Sequence, residues 1–305
     1  MAKSLEKKIK AMEEKQRLTK KRAAEPAASP ANPLEGEFMP KNSFQGEVAE
    51  EALTRLTAVF PHTPEGKRAM ANAILRSSLF GVVEKGARKL EENVIKATVN
   101  GLTLKIVNGR QLDQSDFDVF LECVSRHQDT PLGSVIYFTA GNFLHAIGRP
   151  HGNSGYMWLE SVLSRLATCT IELEDDKRIY RGALLQDTYR DKDTNDYVIL
   201  MNPKIAVFFT GGLWTGLSLE ERCRLKGKQL ALWLHGNYST QTVPFPYKVE
   251  TIQKNCGSQT TQLYEFRRTL KKALSDLSGA TGWTCNIDPQ TDLVHVVKTK
   301  AVRHE

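Results

Sequence analysis

Two long amphipathic stretches, each preceded by a short helical segment with a glycine-containing turn and followed by alternating apolar stretches, predict an α+β fold: two winged-helix domains in tandem behind a disordered or helical basic N-terminal tail. Three observations carry this prediction. The order helix, short helix, turn, long helix, hairpin occurs twice, although the two halves share no clear residue-level repeat. Glycine and proline fall at the breaks between the apolar-periodic segments. The first 45 residues lack the apolar content of a core. The expected boundaries are a tail over residues 1–45, a first winged-helix domain over 46–210 and a second over 211–305.

Residues 3–22 read as a solvated helix with Leu5, Ile9 and Met12 on one face. Residues 24–45 are rich in Ala, Pro, Ser, Asn and Gly, the composition of a flexible linker. A short amphipathic segment follows over Val48–Phe60. Val99–Val107 alternates as a strand does. Asp113–Arg126 is a helix: Asp113 can cap it, Asp116 stands three residues later, and Phe117, Phe120, Leu121 and Val124 form one face. Val135–Phe138 is a short strand and Thr139–Ile147 a helix stopped by Gly148 and Pro150. Ser154–Thr168 is the long helix of the first half. Alternating stretches at Thr170–Leu173, Arg178–Asp187 and Tyr197–Met201 predict a β wing, and Lys204–Phe209 an apolar bridge. In the second half Ser218–His235 is one helix capped by Ser218, and Val249–Cys256 a short helix ended by Gly257. Thr261–Leu277 is the long helix, and Thr284–Ile287 with Leu293–Val297 form a hairpin around Asp288-Pro289.

The net charge is +7 and the isoelectric point about 9.1, which favours anionic partners. Residues 1–25 hold nine Lys/Arg against four Asp/Glu, so most of the excess sits in the tail and the placement of charge in the rest must carry any argument for nucleic acid. No apolar run reaches the roughly 18 residues of a spanning helix, and the Lys-rich start is followed by no apolar stretch, which excludes a membrane span and a secretory signal and predicts a cytoplasmic protein. The cysteines Cys123, Cys169, Cys223, Cys256 and Cys285 are scattered, with no Cys-x-x-Cys pair, so reduced thiols rather than a zinc site or disulfides are expected.

The long helix of the second half carries the most information. Leu263, Phe266, Leu270, Leu274 and Leu277 share one face. Opposite lie Thr261, Arg268 and Lys272, flanked by Tyr264, Lys271 and Ser275, with Arg267 at the border. A leucine-lined back with a cationic, hydroxyl-bearing front suits the major groove of duplex DNA, about 12 Å wide, where arginine reads guanine edges and lysine holds phosphates. Gln259 and Gln262 stand near its N-terminal end, the part of a recognition helix that usually meets bases. The first long helix turns Leu159, Val162, Leu163 and Leu166 inward. Its outer face, with Met157, Ser161, Ser164 and Thr168 and Arg165 to one side, is nearly uncharged. The second domain is therefore expected to supply more DNA affinity, and the first is open to self-association.

Enzyme signatures are missing. No Gly-x-x-x-x-Gly-Lys-Ser/Thr loop is present, Gly152-Asn153-Ser154-Gly155 has the wrong spacing for a nucleophile elbow, and the seven histidines include no His-x-His pair for a nicking metal. The histidines read as surface or capping residues. No cofactor is expected and no enzymatic activity. Gln229-Leu230-Ala231-Leu232-Trp233 resembles the pentapeptide that docks on bacterial sliding clamps, but Leu230, Trp233 and Leu234 are expected in a helix core, where no extended peptide can be offered.

Several strings, in this order and spacing, resemble the TrfA-type plasmid replication initiators. They are Ala73-Ile74-Leu75-Arg76-Ser77-Ser78-Leu79-Phe80, the run from Tyr156 to Leu166, Pro246-Tyr247-Lys248-Val249-Glu250-Thr251 with Cys256-Gly257-Ser258, and Asp292-Leu293-Val294-His295. The resemblance covers roughly residues 72–298. It implies two winged-helix domains that bind tandem origin repeats (iterons) in double-stranded DNA, help open an adjacent A·T-rich segment, and help recruit the host initiator and replicative helicase. It also implies a monomer–dimer self-association in which dimers limit copy number. Carried over position by position, it points to Ser258, Thr260, Thr261, Arg267, Arg268 and Lys272 in the second domain, and to Asn153, Ser154, Ser161 and Arg165 in the first. A winged-helix transcriptional repressor without initiator activity is the alternative that shares every DNA-binding feature.

Overall fold

In the computed structural model, which describes residues 60–298 apart from 85, 100–101, 132 and 175–178, the chain opens on strand β1 (Lys67–Ala71) and the single turn of helix α1 (Asn72–Leu75). The expected tail helix at 3–22, the linker at 24–45 and the segment at 48–60, Phe60 excepted, lie outside the described residues. Strand β2 (Phe80–Gly81) comes next, then the antiparallel pair β3 (Leu90–Val99) and β4 (Leu102–Arg110), then β5 (Leu112–Asp113), parallel to β2. The single strand expected over Val99–Val107 is thus corrected: Val99 ends one strand and pairs with Leu102, which begins the next. The signal was the Asn-Gly pair at 100–101, which between alternating stretches favours a two-residue hairpin.

Helix α2 (Gln114–Arg126) starts as the sequence predicts. Asp113 accepts from the backbone of Ser115 and Asp116, and the Asp116 carboxylate accepts the Asp113 N–H at 3.0 Å, a reciprocal capping box. Strand β6 (Val135–Thr139) leads into helix α3 (Ala140–Ala146), whose first turn is capped by Thr139, and then helix α4 (Asn153–Thr168). Strands β7 (Thr170–Glu174), β8 (Ile179–Ala183), β9 (Leu185–Arg190) and β10 (Asp196–Met201) follow. The stretch expected as one strand over Arg178–Asp187 divides between two sheets, β8 pairing with β7 and β9 with β10. Leu184 and Leu185 are both fully buried. A continuous strand would send these neighbours to opposite faces, so the chain bends between them.

The apolar bridge is a 3-10 helix (Pro203–Gly212). It leads to strand β11 (Trp214–Ser218), which returns to pair with β1, and to helices α5 (Leu219–Arg224) and α6 (Gln229–Ser239). The one helix expected over Ser218–His235 is therefore broken. Gly227 has φ +79°, a left-handed conformation that a helix cannot continue through and that glycine adopts without a Cβ clash. Ser218 does cap α5, accepting from Glu221 N–H. Strand β12 (Tyr247–Lys248), helices α7 (Val249–Asn255) and α8 (Leu263–Thr281), and strands β13 (Thr284–Ile287) and β14 (Leu293–Val297) complete the chain, the last two as expected.

Both halves build the same small sheet. The first, in order β6-β10-β9, follows helix α2 and encloses the pair α3–α4; the second, β12-β14-β13, follows α6 and encloses α7–α8. The first half adds a four-stranded sheet, β3-β4-β7-β8. Two buried clusters match this plan. One runs from Phe60 to Leu217 and includes Phe80, Phe120, Leu163 and Met201; the other runs from Leu225 to Val296 and includes Trp233, Leu270, Leu274 and Val294. Polar ties join them: Trp233 Nε1 donates to Ser77 O at 2.9 Å, and Gln114 N to Gln229 Oε1 at 2.9 Å. Leu230 and Trp233 are buried in α6, so the clamp-like string is core. No helix among the described residues is long and apolar enough to cross a membrane.

Of the histidines expected as surface or capping residues, two are fully buried: His127, the C-cap residue of α2, and His235 within α6. His127 packs near Phe60, and the His235 ring stacks near Trp283 and shares a hydrogen bond with Glu221 at 2.8 Å. Burial pushes His127 down to about 4, against a lesser opposing contribution from the Ser134 backbone, and burial also lowers His235. The unfolded chain therefore binds these protons first. Their neutral burial is free of penalty above about pH 6.5 and costs stability as pH falls toward 4. We expect unfolding free energy to drop by about 3 kcal/mol across that window on account of His127 alone. In urea titrations at stepped pH, His127→Leu should flatten that limb in part, the remainder belonging to His235; a slope identical to the parent's would refute it.

Candidate nucleic-acid interface

Helix α8 has the two faces that its sequence requires. Phe266, Leu270, Ala273, Leu274, Leu277 and Ala280 are buried against α6, α7 and β13. Tyr264, Arg268, Thr269, Lys271, Lys272 and Ser275 are exposed on the other side. Arg268, Lys271 and Lys272 have no ion pair or hydrogen bond among the described residues. Arg268 and Lys272 stand one turn apart, at i and i+4, so two uncompensated cations share one ridge.

The helix begins later than expected. Its first residue is Leu263, with Gln262 as N-cap, and it runs on to Thr281. Residues Gln259 to Gln262 lie outside it because the turn after α7 has bonds of its own. Gln253 Nε2 donates to Thr260 O at 2.7 Å, and Thr260 N to Ser258 Oγ at 3.3 Å. Gly257 takes φ +65° there, and a Cβ on it would stand 2.8 Å from Ser78 Cβ, so the turn presses on the first half. Ser258 and Thr260 thus shape the turn, while Thr261 and Gln262 are exposed at the head of α8. Gln259 points to the first half, donating to Gln111 Oε1 at 2.7 Å.

Arg267 is not a free cation. Its Nε donates to Asp292 Oδ1 at 2.9 Å and its Nη2 to Asp292 Oδ2 at 2.8 Å. This hydrogen-bonded carboxylate raises its pKa further above the ordinary arginine value. Sequence reasoning named Asp292 only within the Asp292-Leu293-Val294-His295 string and gave it no role beside Arg267. Two exposed lysines, Lys248 at the N-cap of α7 and Lys254 in its last turn, were given no role by sequence reasoning; both are without ion pairs among the described residues.

The long helix of the first half offers less charge. Asn153, Ser154, Met157, Ser161, Ser164 and Thr168 are exposed on α4, while Leu159, Val162, Leu163 and Leu166 are buried. Arg165 is committed to the interior: Nη2 meets Asp116 Oδ1 at 2.7 Å and Nη1 donates to Ser161 Oγ at 2.6 Å. Arg149, in the turn before α4, sits over the Trp158 ring with its guanidinium carbon 3.5 Å from the ring centroid. The expected asymmetry between the two long helices is therefore visible, among the described residues, as three unpaired cations on α8 and none on α4. Among the described residues no group of three His, Cys, Asp or Glu is placed to hold a metal ion.

The family model described as "TrfA protein" matches residues 46–298. A curated relative, the plasmid replication initiator protein TrfA of Escherichia coli, is 27% identical over 242 residues, which is 76% of this chain; the chain spans 62% of that relative's length. Domains 2 and 3 of RctB superpose with a TM-score of 0.53 at 10% identity, covering 74% of this chain and 97% of that one. The Pi initiator protein, solved in complex with iteron DNA, superposes with a TM-score of 0.52 at 12% identity, covering 78% of this chain and all of that one. At such identities the structural likeness is one of fold.

Proposed function

The chain belongs to the TrfA protein family, and on that footing we propose that it is a plasmid replication initiator whose two winged-helix domains bind tandem origin repeats in duplex DNA. We place the domains at residues 46–210 and 211–305, behind a tail of residues 1–45; the first buried cluster extends to Leu217 and the second begins at Leu225, a few residues beyond that boundary. Each domain pairs a short helix with a long one and closes them with a sheet of the same strand order, which supports the winged-helix reading.

The observation that carries the function is the unpaired cationic ridge of α8. Phosphates supply affinity through Arg268, Lys271 and Lys272, and bases are met by Thr261, Gln262 and Tyr264 at the head of the helix. Ser258, Gln259 and Thr260 hold the turn that aims it. In the first domain Asn153, Ser154 and Ser161 meet the backbone of an adjacent groove, and Arg165 positions Ser161. No covalent chemistry is required, and the protein acts as a DNA-binding initiator rather than an enzyme, without a cofactor. Distortion of flexible A·T steps beside the repeats assists opening. The host initiator, the replicative helicase and a second copy of the chain are its protein partners, in the cytoplasm of the plasmid's host.

Combining Arg268→Ala with Lys272→Ala removes two phosphate contacts. Repeat binding is expected to weaken and the salt slope, the fall of log affinity with log salt, to shrink by up to about 2. Fluorescence anisotropy across a KCl series measures both. Parental affinity at every salt concentration would reject α8 as the reader. A plasmid that carries the repeats but lacks its own initiator separates initiation from repression, since only an initiator restores its replication.

A further inference from the structure

The geometry points to Asp292 as a positioning residue for base reading: it holds Arg267 side-on, cancels the arginine's charge, and leaves the end of the guanidinium to meet a base. This rests on the reading that α8 faces duplex DNA. A guanidinium carries five N–H donors in a flat fork. Asp292 takes the edge made by Nε and one Nη2 hydrogen. Nη1 has no partner among the described residues, and the side chain is 35% exposed. The two end hydrogens, one on Nη1 and one on Nη2, are parallel and have no partner among the described residues. That pair matches the O6 and N7 acceptors of guanine.

The carboxylate is itself held. Asp292 takes φ +57°, and its N–H donates to Asp288 O at 2.9 Å while its carbonyl accepts from Val249 N at 3.1 Å. One residue therefore ties the β13–β14 turn to the first turn of α7, and its side chain ties both to α8. Arg267 is aimed by the wing, not by its own flexible stem. Held in this way, it is pre-organised and loses less rotamer freedom on binding. Because the pair is neutral, Arg267 adds little to phosphate attraction. Sequence choice and salt-dependent affinity are thus divided between neighbours on one helix: Arg267 discriminates, whereas Arg268, Lys271 and Lys272 attract.

The test uses the full chain, a pool of randomised duplexes and one mixed-sequence duplex of fixed composition. The parent is expected to enrich guanine at a position that Arg267→Gln leaves unselected, with the other positions kept. Asp292→Asn tolerates the left-handed backbone and keeps an acceptor while freeing the arginine's charge. It should blur the same position although Arg267 is present, bind the mixed-sequence duplex more tightly, and steepen the salt slope by about 1. An unchanged base profile in Arg267→Gln overturns the inference. So does an Asp292→Asn chain with parental profile and slope. If Asp292→Asn does not fold, judged by its thermal melt, the Arg267→Gln profile decides alone. Failure of the reading beneath it has a different signature: the parent enriches no sequence, or Arg268→Ala with Lys272→Ala binds as the parent does.

Discussion

Replacing Asp116 by alanine is expected to lower the unfolding free energy by about 3–5 kcal/mol, the usual cost of leaving buried charges without their partner. Asp116 is fully buried and ties three segments of the chain. Arg88 Nη1 meets its Oδ2 at 2.5 Å, Arg165 Nη2 meets its Oδ1 at 2.7 Å, and the backbone N–H of Asp113 donates to it at the head of α2. The two guanidiniums have only 19% and 15% of their side chains exposed, so water cannot replace the lost carboxylate fully. Asp113, which also pairs with Arg88, softens the effect on that side. Asp116→Asn retains an acceptor for the cap and should cost less than the alanine. Urea unfolding midpoints rank the two. If both variants unfold within about 1 kcal/mol of the parent, the network is not the anchor of α4. A double-mutant cycle with Arg165→Met then isolates the α2–α4 tie from the loss of the cap.

The part of this network nearest in sequence could be read without coordinates. Asp113 followed by Asp116 before an apolar periodic run is a local signal, because a capping box is made within one turn. The same holds for the two faces of α8, which follow from a single periodicity, and for the β13–β14 hairpin. What sequence could not reveal lies in pairings between distant residues. Strand β1 has no local partner and finds β11 more than a hundred residues on, with Met70 opposite Thr215. Arg165 reads as an exposed cation at the side of α4 until Asp116 is brought beneath it. Arg267 reads likewise until the β13–β14 turn places Asp292 beside it. In each case the helix period gave the correct angle around the axis, but charge is cancelled by a carboxylate from another element, which no periodicity encodes. The break in the helix expected over Ser218–His235 is different in kind. Gly227 was visible, yet an isolated glycine is tolerated in helices, and only tertiary packing decides whether it bends the chain.

Arg222→Met is expected to loosen the two halves from one another and to cost about 2–3 kcal/mol, below the full cost of a buried unpaired charge because Asp118 keeps 28% of its side chain in water. Arg222, in α5, is itself almost wholly buried. Its Nε donates to Asp118 Oδ1 at 2.8 Å and its Nη2 to Gln114 Oε1 at 3.2 Å, both on α2, while Nη1 reaches Leu232 O in α6 at 3.4 Å. The guanidinium also lies 4.6 Å from the Phe117 ring centroid. Methionine replaces most of the stem and none of the donors, leaving Gln114 Oε1 and the Leu232 carbonyl to find other partners in a closed site. Because each half has its own buried cluster, weakening the tie should uncouple their unfolding rather than melt both evenly. Calorimetry of the parent should give one transition whose calorimetric and van't Hoff enthalpies agree. The variant should give two, or a calorimetric enthalpy clearly larger than the van't Hoff value. A single transition at the parental midpoint would mean that other ties, among them Trp233 to Ser77, Gln229 to Gln114, Gln259 to Gln111 and Arg76 to Thr240, suffice to join the halves. On the proposed reading, in which α4 and α8 both face duplex DNA, two helices fixed at one separation can read only repeats whose grooves match it, and a chain with loosened halves should tolerate inserted base pairs that the parent rejects.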